Sequence, residues 1–285
     1  MRYRAGPFLV SLQTDCPGVI SLLADLYPVS EVIAGDRIFD FHIAVTRVPG
    51  LRRWWRPQVR FAVDRLVPFE PYPLDHAFPL LEWGLNWCIA MRAHQYLMLH
   101  SGAMERGGAA LILPATPGSG KSTLSAALAF RGWRLMSDEF GLYDWESRTL
   151  VPLPRAVPLK NRSIEVIRHF APEAYLGPVF PKTRKGDVAH LRPPAESLRR
   201  QGQPAEPRWL VFPRYEEQVR GGAALETITR DLAFTRLAHN SFNYHLLGQT
   251  GFEALVGLVR RCECYSLVYR DLDDAIARLD EVCSF

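Results

Sequence analysis

Lys121 and Ser122 follow two closely spaced glycines in Pro117-Gly118-Ser119-Gly120-Lys121-Ser122-Thr123, and that spacing suits the capture of a phosphate chain. Amide hydrogens at a helix N-terminus carry partial positive charge, and glycines let the backbone close around an anion. A lysine at this point reaches the β- and γ-oxygens of a triphosphate, and a serine hydroxyl holds Mg²⁺. The run fits a Walker A loop, with Ala115 where the consensus has its first glycine. Pro117 through Thr123 are therefore the expected ATP-binding residues. Asp138 and Glu139 come after the following helix and strand. One carboxylate is expected to face the phosphates, and the other to reach the metal or orient a partner.

The elements that position these residues are legible around them. Ala109 to Pro114 is an apolar run short enough for a buried strand, and an Ala- and Leu-rich helix begins at about Lys121. Gly132 suits the position after that helix, and Trp133 to Glu139 reads as a strand ending in the two carboxylates. In parallel α/β sheets, sites lie at the carboxyl ends of strands. Upstream, Leu97 to Glu105 pairs with Ala109 to Leu113 as a hairpin turned at Arg106-Gly107 or Gly107-Gly108. Either turn sets His100 opposite Leu113 to Ala115, at the edge of the phosphate loop.

Residues 1 to about 70 read as a small α+β module with strands over 8–12, 40–45 and 58–63 and a short helix over 19–26. Arg52-Arg53-Trp54-Trp55-Arg56 interleaves cations and aromatics, a pattern that binds nucleic acid or an acidic partner but more often forms a hairpin tip. Pro68 to Pro73 reads as a linker, and a helix from about Asp75 to Tyr96 opens the second unit, 76–285. Lys160 and Asn161 precede a helix starting near Ser163, where they face substrate or cap the helix. Residues 176–208, with Lys182, Arg184 and Lys185, read as a long basic loop, either a mobile lid or disorder. A strand over 209–215 ends at Arg214. Further on come a strand from Ala224, helices around 234–240 and 251–260, a strand over 264–269 and a terminal helix from Asp271.

Composition narrows the class. The chain has 285 residues, 48% of them apolar, enough for a full core, and its net charge of +4 gives no reason to expect a nucleic-acid partner. Five scattered cysteines read as reduced cytosolic thiols, and Cys262 and Cys264 lack the spacing and histidines of a zinc site. The most apolar long segment, 78–99, contains Glu82, Arg92 and His94, which lipid would penalise, so a soluble cytoplasmic protein is expected. A homo-oligomer stays open.

The segment 100–144 resembles the HPr kinase/phosphorylase superfamily, and more closely its HPr-related kinase A members. The likeness rests on His100-Ser101-Gly102-Ala103, on Pro117 to Thr123 and on Arg131 to Glu139, with Pro158 to Asn161 and Asn240 to Tyr244 also similar. It implies a P-loop core of the phosphoenolpyruvate-carboxykinase kind and ATP- and Mg²⁺-dependent phosphorylation of a serine hydroxyl on a small protein or peptide. On that likeness Lys121, Asp138, His100 and Glu139 are expected to be catalytic. Ser122 and Glu139 would hold the metal, and Lys160, Asn161, Lys182, Arg184, Arg214 and Asn240 would face substrate. The family has an acidic residue after the loop serine and an Asp-Asp pair, where this chain has Thr123 and Asp138-Glu139. A small-molecule P-loop kinase and a nucleotide-binding sensor without turnover are the alternatives.

Overall fold

Alternate burial builds the N-terminal layer. In β1 (Arg2–Ala5) and β2 (Phe8–Thr14) every second side chain turns inward, and the two pair antiparallel. Helix α1 (Pro17–Leu26), with proline in its first turn, returns the chain to β3 (Phe41–Arg47), which pairs parallel with β2. β4 (Gln58–Val63) follows antiparallel, and β5 (Tyr72–Pro73) lies at the sheet edge, where proline costs no ladder bond. The proline-rich stretch expected as a linker thus ends in a strand. The computed structural model describes residues 1–28, 37–50, 55–116, 118–219 and 221–283; Pro117, Arg52, Arg53 and Trp54 lie outside the described residues.

Helix α2 (Ala77–Arg92) packs its apolar side on this sheet, with Leu81, Leu85, Cys88 and Ile89 in one core with Phe61 and Val63. It ends four residues before the expected Tyr96. Asn243 takes over there: its side-chain oxygen accepts from Met98 N at 2.9 Å, and its amide donates to Tyr96 O at 2.8 Å.

The central sheet is mixed rather than wholly parallel. β6 (Leu97–Arg106) and β7 (Ala109–Pro114) form an antiparallel hairpin whose two-residue turn is Gly107-Gly108, both at positive φ. Helix α3 (Lys121–Ala129) follows β7, then β8 (Arg134–Ser137) and β9 (Phe140–Asp144) run along the other side of β6, and β10 (Thr149–Val151) extends the sheet. β8 therefore points the same way as β7 with β6 between them, so Asp138 comes out at the same end of the sheet as the loop.

β11 (Val157–Lys160) leads into α4 (Arg162–Phe170), and β12 (Phe180–Thr183) and β13 (Gly186–Leu191) complete a three-stranded sheet in the order β11-β13-β12. β12, β13 and α5 (Ala195–Arg199) lie within the stretch expected to be a loop. Lys182 is thus on a strand and Arg184 in a hairpin turn. β14 (Glu206–Tyr215) enters the central sheet parallel to β7, β15 (Ala224–Thr227) forms its far edge, α6 (Arg230–His239) and α7 (Tyr244–Arg261) follow, β16 (Glu263–Tyr269) pairs parallel with β14, and α8 (Leu272–Val282) closes the chain.

Alternation also decides what covers this sheet. Leu111, Leu113, Trp209, Val211 and Leu267 share one face with α3 and α8, whereas Ala110, Ile112, Leu210 and Phe212 share the other with α6 and α7. The chain is mixed α/β with several sheets and, among the described residues, eight α-helices. No helix of the described residues is long and apolar enough to cross a membrane.

Candidate functional site

The glycine loop before α3 is fixed from two strands distant in sequence. Tyr215 N donates to Ser119 O at 2.9 Å, and Tyr269 Oη donates to Gly120 O at 3.1 Å. Gly120 has φ of 86°, and a Cβ there would collide with Tyr269 Oη and lie 2.9 Å from Tyr215 Cβ. Only glycine meets both demands. Sequence reasoning missed both tyrosines, because nothing local ties positions 215 and 269 to 120.

Lys121 opens α3 and folds back onto the end of β8. Its Nζ donates to Asp138 O and lies 3.2 Å from Asp138 Oδ1, with both side chains more than nine-tenths buried. Asp138 Oδ2 is buried without a protein partner. Ser119 Oγ is buried and unpaired as well. Ser122 and Thr123 follow in the first turn of α3, half-buried, and Gly118 is at positive φ in the loop.

His100 sits where the hairpin register predicts, with its carbonyl accepting from Ala115 N at 3.4 Å and its amide donating to Asn240 O at 2.6 Å. Its Nε2 lies 3.9 Å from Glu139 Oε1, and its ring meets Phe242 edge-on at 5.5 Å. Burial and the Lys121 ammonium pull the imidazole below its ordinary pKa, against the opposing pull of Glu139 and Asp138. The neutral ring is therefore favoured.

The substrate candidates separate. Lys160, an exposed residue, ends β11. Partial desolvation lowers its pKa, Lys185 and Lys121 push the same way, and Glu139 and Asp138 oppose, so it belongs to the same electrostatic cluster. Asn161 stands at the N-cap of α4 without a side-chain cap bond; at φ of 49° its Oδ1 accepts instead from Asp187 N at 3.1 Å, bracing the β12–β13 turn. Lys182 N donates to Asp187 Oδ1 at 2.9 Å, and Arg184 lies over the Tyr72 ring at 4.8 Å. Arg214 is exposed and pairs with Glu216 at 2.8 Å. Asn240 acts through its backbone on His100, while its side chain donates to Arg236 O at 2.9 Å.

The donor set suits magnesium bound with a nucleotide. Mg²⁺ usually takes one or two carboxylates, waters and substrate phosphates rather than an all-protein cage, and the Ser122 hydroxyl and Glu139 carboxylate, both half-buried, are oxygen donors of that kind. Among the described residues, no three His, Cys, Asp or Glu side chains converge on a ready-made metal cage. The five cysteines are buried free thiols. No family model matches the chain, and no curated protein matches it.

Proposed function

We propose that the chain is an ATP- and Mg²⁺-dependent phosphotransferase of the HPr-kinase type, acting on a serine hydroxyl of a small protein or peptide. The pairing of the loop lysine with Asp138, which keeps one buried carboxylate oxygen uncommitted, carries the reading. Phosphoryl transfer is mostly positioning and charge stabilisation, and this site has the parts for both. Loop amides and Lys121 bind the phosphates. Ser122 and Glu139 are the residues that would hold magnesium, which when bound neutralises charge on the phosphate oxygens. Asp138 takes the acceptor's proton, and His100, kept neutral, orients Glu139.

Asp138→Asn is expected to keep ATP affinity, measured by calorimetry, and to lose transfer of labelled phosphate by roughly 10²- to 10⁴-fold, the usual worth of a general base. Lys121→Ala should weaken both. Full transfer by Asp138→Asn would remove the base assignment, and no uptake of ATP with magnesium by the intact protein would end the phosphotransferase reading.

A further inference from the structure

A cavity lies against Asp138, and its walls come from four parts of the chain. Helix α2 of the N-terminal layer gives Glu82, Trp83 and Asn86, the break between β8 and β9 gives Asp138 and Glu139, the stretch before β11 gives Leu153, Arg155 and Ala156, and β13 gives His190. Three of the buried polar atoms without a partner belong to residues of this wall: Asp138 Oδ2 and both ring nitrogens of His190. Leaving a buried polar group unpaired costs about 1–3 kcal/mol, so such a wall calls for a polar guest.

The chemistry of the wall narrows the guest. Arg155 is already committed, donating to Glu82 Oε2 at 2.6 Å, to Glu82 O at 3.0 Å and to Asn86 Oδ1, so it offers no free fork for a phosphate or carboxylate. Burial lowers the His190 pKa to about 4, so its ring is neutral near pH 7 and presents one donor and one acceptor nitrogen. Asp138 Oδ2 accepts. A hydroxyl satisfies that set, because it donates and accepts through one oxygen. Leu153, Ala156 and Phe140 supply the apolar part of the wall. The room left is about 20 Å³ for the centres of water-sized groups, where one water needs roughly 10–15 Å³. A hydroxymethyl group fits, and a nucleoside or sugar ring does not.

We infer that this cavity seats the acceptor alcohol, that α2 and Ala156 make it selective for an unbranched hydroxymethyl group over a branched one, and that Trp83 sets its width. The inference rests on the phosphotransferase reading above. In the step it implies, the acceptor oxygen forms a bond to the γ-phosphorus while the bond from that phosphorus to the β–γ bridging oxygen breaks. ADP leaves with the electron pair, and the hydroxyl proton passes to Asp138 Oδ2. Trp83, Asn86, Pro158 and Glu139 are the half-buried members of the lining and form the mouth, where the Lys185 ammonium lies 5.5 Å over the Trp83 ring. A cation there favours an acceptor segment with acidic neighbours.

The test uses the full chain with MgATP and two surrogate acceptors at millimolar concentration, N-acetylserinamide and N-acetylthreoninamide, with product read by phosphorus NMR and ATP affinity by calorimetry. The serine surrogate should react faster by roughly 10- to 200-fold, the discrimination one methyl group commands in a fitted pocket. Ala156→Val, which fills the cavity, should lose transfer with ATP affinity unchanged. Trp83→Ala, which opens it, should narrow the gap between the surrogates, and it carries the test if a thermal melt shows Ala156→Val unfolded. Equal rates on the two surrogates, wild-type transfer by the filled variant, or intact ATP binding with transfer to neither surrogate would overturn the cavity's role. Failure to bind ATP at all would instead overturn the phosphotransferase reading.

Discussion

Asp138 is held on one side by Lys121 and left free on the other, and the proposed proton-acceptor role rests on that asymmetry. Lys121, Ser122 and Asp138 were readable because their spacing is local: a loop, a helix of standard length and one strand fix their separation. Tyr215 and Tyr269 were not, since they reach the loop from β14 and β16 through tertiary contact alone. Gly120→Ala joins the two kinds of information. A side chain at φ of 86° is strained and also meets Tyr269 and Tyr215, so the substitution is expected to cost about 1–3 kcal/mol. Urea unfolding should register that loss, and calorimetry should show weaker ATP binding in the same variant.

At the scale of elements, β6 is the hub. It pairs with β7 on one side and with β8 and β9 on the other, carrying His100 toward the loop and fixing where Asp138 emerges. A buried ion pair joins β6 to β8: Glu105 bonds Arg134 and also accepts from Gly108 N at 2.7 Å. Burial alone would raise the Glu105 pKa, but Arg134, Gly108 and Arg200 outweigh it and hold the carboxyl below its usual range. Arg134→Met should therefore leave a buried charge short of its main partner and destabilise the fold by about 3–5 kcal/mol, measured by urea unfolding at pH 7. The double variant with Glu105→Leu should recover much of that loss. The hairpin of β6 and β7 was legible from its Gly-Gly turn. The β12–β13 hairpin was not, because its lysines and prolines read as loop and its pairing partner β11 lies more than twenty residues upstream.

Across the whole molecule, the N-terminal layer and the body built on the central sheet share one apolar core that includes Phe61, Leu81, Phe140 and Ala156. His190 is buried at this junction, edge-on to Phe78 at 5.1 Å and to Phe180 at 6.1 Å. Burial lowers its pKa to about 4, while the neighbouring charges of Glu82 and Arg155 push in opposite directions. The unfolded chain, with histidine near 6.5, takes a proton that the folded protein refuses between those two values, so stability falls as pH drops through that window. By pH 5 this one residue should account for about 2 kcal/mol of loss relative to pH 7. Urea midpoints at the two pH values should show that loss in the wild type and a shallower dependence in His190→Phe.

The order of residues by itself determined the strand, glycine loop and helix of 109–129, the two carboxylates that follow, and the placement of His100 beside the loop, since each depends on periodicity and turn geometry over a few residues. Folding alone decided that β6 stands between β7 and β8, that two distant tyrosines hold the loop, and that α2 walls a cavity against Asp138. Those features arise from burying apolar faces that lie far apart along the chain, and no local pattern records which face meets which.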